Sequence, residues 1–241
     1  MENMNVYVLS SDIPVSARHG NGGMSELGNS NTSGGSVNRF LQSIRGLFAD
    51  RNLQACVDAV AKENDWVFAH EVTGILLCNS KNISNLSGLE QLVNLERLIL
   101  NDNNVTDLSP LSGLTNLKVL TLGDNNVSDV SPLSNLTNLT ALSLGGNNIS
   151  DVSALSGLKN LSVLWLNNNR VRNVKPLAKL TNINQLHLRG NNIGGLNVGR
   201  LCELKTLIHA EMIDLRENPE EAITEILWLK QRMGKQMILP E

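Results

Sequence analysis

The stretch Leu92-Val-Asn-Leu95-Glu-Arg-Leu98-Ile-Leu100-Asn-Asp-Asn103-Asn-Val105-Thr-Asp-Leu108-Ser-Pro110-Leu111 decides the fold, because it starts again. Leu114, Leu136, Leu158 and Leu180 each open another copy, always 22 residues after the last. Self-similarity at such a fixed period is the mark of a solenoid, in which each repeat buries its apolar side only against its neighbours. No 3.6-residue apolar stripe survives the Asn and Pro positions, so a row of Leu-rich helices is excluded.

Each copy reads as one coil. The pairs Leu98/Leu100, Leu120/Leu122, Leu142/Leu144, Leu164/Leu166 and Leu186/Leu188 have the period of two that marks a short strand. These Leu side chains point into the coil, and the residues between them point out onto a parallel sheet. Strands of successive coils are expected about 4.8 Å apart. Asn103, Asn125, Asn147, Asn169, Asn191 and Asn218 each follow three residues after the second inward residue. A buried Asn needs its amide bonded, and a stack of them bonds the turning backbone of its own and the neighbouring coil. Val105, Val127, Ile149, Val171 and Ile193 turn inward again, and Leu111, Leu133, Leu155 and Leu177 close the coil. Ser109-Pro110, Ser131-Pro132 and Lys175-Pro176 start a helical turn on the back, with Pro at a first helical position.

The phrase LxxLxxLxLxxNxVxDxxPLxx is that of a leucine-rich repeat. It resembles the internalin-type repeats of bacteria, and equally the 22-residue repeats of phosphatase-regulating proteins in eukaryotes. The resemblance covers roughly residues 48 to 240. It implies an α/β solenoid, a right-handed curved coil with a parallel β-sheet on its concave face. It also implies a helical N-terminal cap, a C-terminal helix cap, and binding of another protein on the concave sheet without catalysis. The fold is a platform on which sites are grafted, so function has to be sought in particular residues.

The composition agrees. Aromatics make up 3% of the 241 residues, as suits a core of Leu ladders. A net charge of −3 argues against a dedicated nucleic-acid binder. No stretch of 18 apolar residues exists, so stable membrane insertion is not expected. The start, Met1 to Leu9, has no basic region and no long apolar run, so no secretory signal is recognisable. Sequons such as Asn104-Val-Thr106 are by-products of the repeat phrase.

Along the chain, residues 1–35 read as a disordered Ser/Asn/Gly-rich tail. Residues 36–69 read as a helical N-terminal cap. Ser36 opens a candidate helix with Val37, Phe40, Leu41, Ile44, Leu47 and Phe48 on one face, expected to dock on the cap. Asp50 caps the next helix, 51 to about 63, with Leu53, Val57 and Val60 inward. Repeats occupy 70–218. In the first, degenerate coil Leu76 and Cys78 take the strand positions and Lys81 replaces the ladder Asn. Cys56 and Cys78 face the same end of the core, either as two buried apolar thiols or as a disulfide stapling the cap, which requires export. Cys202 has no obvious mate. After the fifth regular copy the phrase Ile213-x-Leu215-x-x-Asn218 comes five residues late, which places an insertion with helical spacing within residues 196–206. Residues 219–241 read as a C-terminal cap: a helix begun by Asn218-Pro219-Glu220-Glu221 and ended at Gly234, then a last short strand between Lys235 and Pro240.

The outward strand residues fall into columns. Ile75, Arg97, Val119, Ala141, Val163, Gln185 and Met212 form the first, and Leu77, Ile99, Thr121, Ser143, Trp165, His187 and Asp214 the second. Asn79, Asn101, Gly123, Gly145, Asn167, Arg189 and Arg216 form the third. Trp165 with Val163 projects from the middle, as an anchor does. Gly123, Gly145, Ala141 and Ser143 make a shallow floor beside it. His187 neighbours Asp214, beside Arg189 and Arg216. The expected protein-binding residues are Ile99, Val119, Val163, Trp165, His187, Arg189, Asp214 and Arg216.

No catalytic, cofactor or metal residues are assigned. A His–Asp pair needs a nucleophile within about 3 Å, but Ser143 lies two strands from His187, roughly 10 Å. Charge is uneven. Residues 92–157 hold Arg97 and Lys118 against six acids. Residues 158–206 hold eight basic residues, Arg170, Arg172, Lys175 and Lys179 among them, against Glu203 alone. The reading is a non-enzymatic module that binds a protein partner, one with an acidic patch if the basic end takes part. A cytoplasmic location is expected. The alternative is an effector delivered into a host cell by a signal-independent, type III route.

Overall fold

The computed structural model describes residues 43–193, 210–219, 231 and 237–238, all within the larger of the chain's two compact units, Ser36–Glu241. It opens on α1 (Arg51–Asn64). Asp50 caps this helix as its position demands: Oδ1 accepts from the N–H groups of Asn52 (2.9 Å) and Leu53 (3.1 Å). Asp65 ends it in the left-handed conformation, at φ 56°. Leu53, Cys56, Val57 and Ala61 form its buried face.

The described part of the stretch before α1, Ser43 to Phe48, is not helical, contrary to its apolar spacing. Ser43 forms an antiparallel bridge with Phe68, and Gly46 turns the chain at φ 71°. Ile44 and Phe48 are nevertheless buried in the core, as docking on the cap requires. Packing against the Phe68 segment has overridden a local helical pattern. Residues 36–42 lie outside the described residues.

Eight strands follow in one parallel sheet, in sequence order. They are β1 (Gly74–Leu77), β2 (Leu95–Ile99), β3 (Val119–Thr121), β4 (Ala141–Ser143), β5 (Val163–Trp165), β6 (Gln185–His187), β7 (Met212–Asp214) and β8 (Met237–Ile238). Leu76, Leu98, Leu120, Leu142, Leu164, Leu186 and Ile213 align across seven of them, so the phase of the repeat is the phase of the sheet. All seven are wholly buried. The alignment of Ile213 with Leu186 also shows that the five extra residues are accommodated without a register shift. The helix expected in that insertion and the helix begun by Pro219 lie outside the described residues. The last short strand is present as β8, paired with β7.

Opposite the sheet run short 3-10 turns, Ser109–Leu111, Ser131–Asn135, Ser153–Gly157 and Lys175–Lys179. Pro110, Pro132 and Pro176 stand at the first turn, where a missing N–H costs nothing. Asp107, Asp129 and Asp151 start these turns by accepting from the N–H of Ser109, Ser131 and Ser153, each at 2.8 Å. The side-chain and backbone hydrogen bonds from the serine hold Asp107 and Asp151 below the usual carboxylate range.

The asparagine ladder joins the coils. Asn147 is typical: its Nδ2 donates to Leu122 O (2.8 Å) in the preceding coil and Leu144 O (3.0 Å) in its own. Its Oδ1 accepts from Val127 N–H (2.9 Å). Asn103, Asn125, Asn169, Asn191 and Asn218 repeat the pattern. The residue before each ladder Asn turns the chain with positive φ: Asp102 (55°), Asp124 (52°), Gly146 (67°), Asn168 (54°), Gly190 (66°) and Glu217 (56°). That column favours Asp, Asn and Gly because only they enter this region easily.

At the N-terminal end Cys56 of α1 and Cys78, next after β1, are joined by a disulfide. Of the two readings open for this pair, the bonded one is the structure's. Asp50 adds a second tie: its Oδ2 accepts from the N–H of Ser84 (2.8 Å) and of Asn85 (3.1 Å) in the first coil.

Candidate functional site: the outer face of the sheet

The two central columns expected on the outer face are the register of the sheet. Leu77, Ile99, Thr121, Ser143, Trp165, His187 and Asp214 form one unbroken row. Ile75, Arg97, Val119, Ala141, Val163, Gln185 and Met212 form the other. At strand spacing, side chains in a row pack shoulder to shoulder. Ile99 and Val119 are therefore only 9% and 7% exposed although they point outward. They form the floor of the face and offer little contact area.

The apolar area lies one strand earlier, where sequence reasoning did not place it. Ile75 is 39% and Leu77 52% exposed. The sheet ends at β1, so these two side chains have a strand neighbour on one side only. They head the same columns as the residues singled out from the sequence. Their end position was the signal.

Trp165 points outward, half-buried, and leans on His187 with ring centroids 4.7 Å apart and planes tilted by 41°. Its indole Nε1 is buried and meets no acceptor among the described residues, and the same holds for Thr121 Oγ1 two strands away. An unmade hydrogen bond of this kind costs on the order of 1–3 kcal/mol. The open floor expected at Gly123 and Gly145 is filled from the side. Asn101 Oδ1 accepts from Gly123 N–H at 2.8 Å, and the space where a Gly145 side chain would begin lies 2.6 Å from Asn167 Oδ1.

His187 and Asp214 are register partners, but the carboxylate is engaged elsewhere. Arg216 grips it with Nε on Oδ1 (3.0 Å) and Nη2 on Oδ2 (2.8 Å). Burial works to raise the Asp214 pKa. The Arg216 hydrogen bonds and charge, helped by His187, outweigh it and leave the group below its ordinary value. Arg189 pairs with Glu217. The polar end of the face is thus a set of internally neutralised pairs, and Ser143 stays separated from His187 by Trp165 in the row.

A second asparagine ladder was missed. Asn94, Asn116, Asn138, Asn160 and Asn182 donate through Nδ2 to the carbonyls of His70, Val93, Thr115, Thr137 and Lys159, at 2.7 to 2.9 Å. All are exposed. With Glu96, Lys118 and Thr140, the three middle ones line a shallow groove beside the strands, headed by the Glu96–Lys118 ion pair at 2.8 Å. Their signal was plain: an Asn two residues after the opening Leu of every copy. On the flank after β5 Arg170 and Arg172 are exposed, as are Lys175 and Lys179 of the following 3-10 turn, and Lys159 Nζ bonds the Lys179 carbonyl at 2.5 Å. No described helix is long and apolar enough to cross a membrane.

Comparison with known proteins follows the same lines. The family described as leucine rich repeats (2 copies) matches residues 93–135, 115–157 and 137–179. None of the curated proteins matches the chain. Among solved structures, an internalin (inlF) of Listeria monocytogenes is similar at 24% identity and a TM-score of 0.61, over 86% of this chain and 72% of that one. Internalin C2 of Listeria monocytogenes is similar at 27% identity and a TM-score of 0.56, over 77% of this chain and 91% of that one. A leucine-rich repeat protein of Leptospira interrogans is similar at 24% identity and a TM-score of 0.59, over 74% of this chain and 44% of that one. Leucine-rich repeats generally mediate protein–protein interaction. By its repeat phrase, its register and these matches, the chain carries leucine-rich repeats and is similar in fold to the bacterial internalins.

Proposed function

We propose that the outer face of the sheet binds a protein partner and does no chemistry of its own. The observation that carries this is the exposed apolar pair Ile75 and Leu77 at the heads of two rows that continue to Val163 and Trp165. Large aliphatic side chains more than a third exposed, on a rigid sheet, are contact area held ready for another surface. Trp165 is the central anchor. A partner meets the exposed part of its ring, since the indole N–H itself is buried. Further along, the paired Arg216 and Asp214 present a rigid polar rim. A partner wide enough to overlap the flank would meet Arg170 and Arg172, and an acidic surface fits there.

The test is a photo-crosslinker placed at position 77 of the full chain, with the captured protein then titrated against variants. Leu77→Asp and Trp165→Ala should each weaken its binding tenfold or more, while Lys62→Glu on the exposed side of α1 should not. Equal affinity for all three would remove the outer face from the interaction.

A further inference from the structure

We propose that the Cys56–Cys78 bond is a native lock on the N-terminal cap, and that the chain completes its fold in an oxidising compartment. Cys78 stands where every later coil carries Leu at its second inward position, Leu100 and Leu122 being the next two, and it is wholly buried. Cys56 comes from the buried face of α1, between Leu53 and Val57, and is 7% exposed. An apolar contact at this point needs only Leu and Ala. Here both partners are cysteine, on two separate elements, with Cα atoms 5.9 Å apart, inside the span a disulfide bridges.

The placement gives the bond a task. The other ties between α1 and the first coil, Asp50 to Ser84 and Asn85 and Asn52 Nδ2 to Asn82 O (3.3 Å), all hold the helix at its N-terminus. The disulfide pins its second turn. Without it, among the described residues, the helix beyond Asn52 is kept on the coil by packing alone. α1 covers the end of the solenoid, and an uncovered end exposes inward side chains and a strand edge.

Formation of the bond is an exchange. The thiolate of one cysteine attacks a disulfide-bearing oxidant, such as glutathione disulfide, and releases one thiol. The thiolate of the other attacks the mixed disulfide and releases the second. Two protein thiols lose two electrons and two protons, and the oxidant's disulfide gains them as two thiols. Such bonds persist outside the reducing cytosol. Because both sulfurs are shielded in the folded chain, reduction has to wait for the cap to lift.

The test uses the full chain. Cells that naturally produce it are quenched in acid and alkylated under denaturing conditions, and the cysteines are mapped by mass spectrometry. The expected result is a linked Cys56–Cys78 peptide pair. Purified chain is then melted oxidised and reduced, beside the double variant Cys56→Ala, Cys78→Ala. The oxidised form should melt about 6–12 °C above the other two. In the reduced form, amide exchange should rise in α1 while β3 to β6 keep their protection. Free thiols at both positions in the producing cells would overturn the compartment. A double variant that melts with the oxidised form and protects α1 equally would overturn the lock.

Discussion

At the scale of single residues, the two asparagine ladders are one chemistry in two environments. Asn147 is 7% exposed and bonds four backbone groups that have no access to water. Asn138 is exposed and donates to one carbonyl, Thr115 O at 2.8 Å, where water can substitute. Asn147→Ala should therefore cost about 1–3 kcal/mol and Asn138→Ala at most about 1 kcal/mol. Denaturant melts of the two variants decide this, and equal losses would show that the buried ladder is no more isolated from solvent than the lateral one. Asp50 is the carboxylate on which the cap turns. Burial raises its pKa, but the N–H groups of Ser84, Leu53, Asn85 and Asn52 outweigh this and lower it below the ordinary value. A depressed carboxylate contributes stability that is complete above its unfolded pKa, about 3.9, and is lost as pH falls toward the folded value. Asp50→Asn should lose less stability than the parent chain between pH 7 and pH 3, because the neutral amide has no charge to lose. Parallel pH curves would deny the carboxylate its bridging role. Trp165→Ala should change stability by no more than about 1 kcal/mol, as outward positions do. The same substitution should cost about 2 kcal/mol or more in partner affinity. A large loss of stability in unfolding melts would make Trp165 a packing residue.

At the scale of elements, α1 and the first coil form a unit distinct from the regular repeats. Lys81 stands where the ladder Asn would be, so the first coil has no amide of its own. Asn103 of the next coil makes its usual bond to Ile83 N–H (2.9 Å) and accepts from Lys81 N–H (3.1 Å) as well. The cap compensates from the other side with the Asp50 carboxylate. Leu53 is wholly buried beneath it. Leu53→Ala should cost about 2–5 kcal/mol, with the loss of amide protection concentrated in α1 and β1. Exchange that rises uniformly to β7 would show that cap and repeats unfold as one.

At the scale of the whole molecule, the charge is separated along the solenoid, and the structure changes what that charge can do. On the sheet face Arg189 and Arg216 are already paired with Glu217 and Asp214. Exposed basic charge that can act at long range stands at Arg170 and Arg172 on the flank and at Lys175 and Lys179 in the turn that follows. If a partner is steered there, its association should slow as salt rises to physiological strength while dissociation changes little. Reversing Arg170 and Arg172 to Glu should slow association at low salt without unfolding the chain, since exposed charges carry little stability. Stopped-flow association rates indifferent to both salt and reversal would leave the flank as a solubility feature.

The 22-residue period by itself determined the coil, the strand phase, the inward Leu ladder, the buried Asn ladder and the late arrival of Ile213, Leu215 and Asn218. Each follows from residues that meet neighbours of the same kind one repeat away, so local pattern and tertiary environment coincide. The lateral ladder at Asn94 and Asn116 was equally legible and was passed over because an exposed Asn makes no demand on the core. Only the tertiary structure decided the rest. Exposure on the outer face depends on how many strands flank a residue, which separates Leu77 from Ile99 although both stand in one column. The pairing of Asp214 with Arg216, and not with His187, depends on guanidinium geometry within β7 and its following turn. The turn at Gly46 in place of a helix, and the union of Cys56 with Cys78, depend on contacts with segments about 20 residues away. Where the chain stops repeating, its neighbours are no longer copies of itself, and no period foretells them.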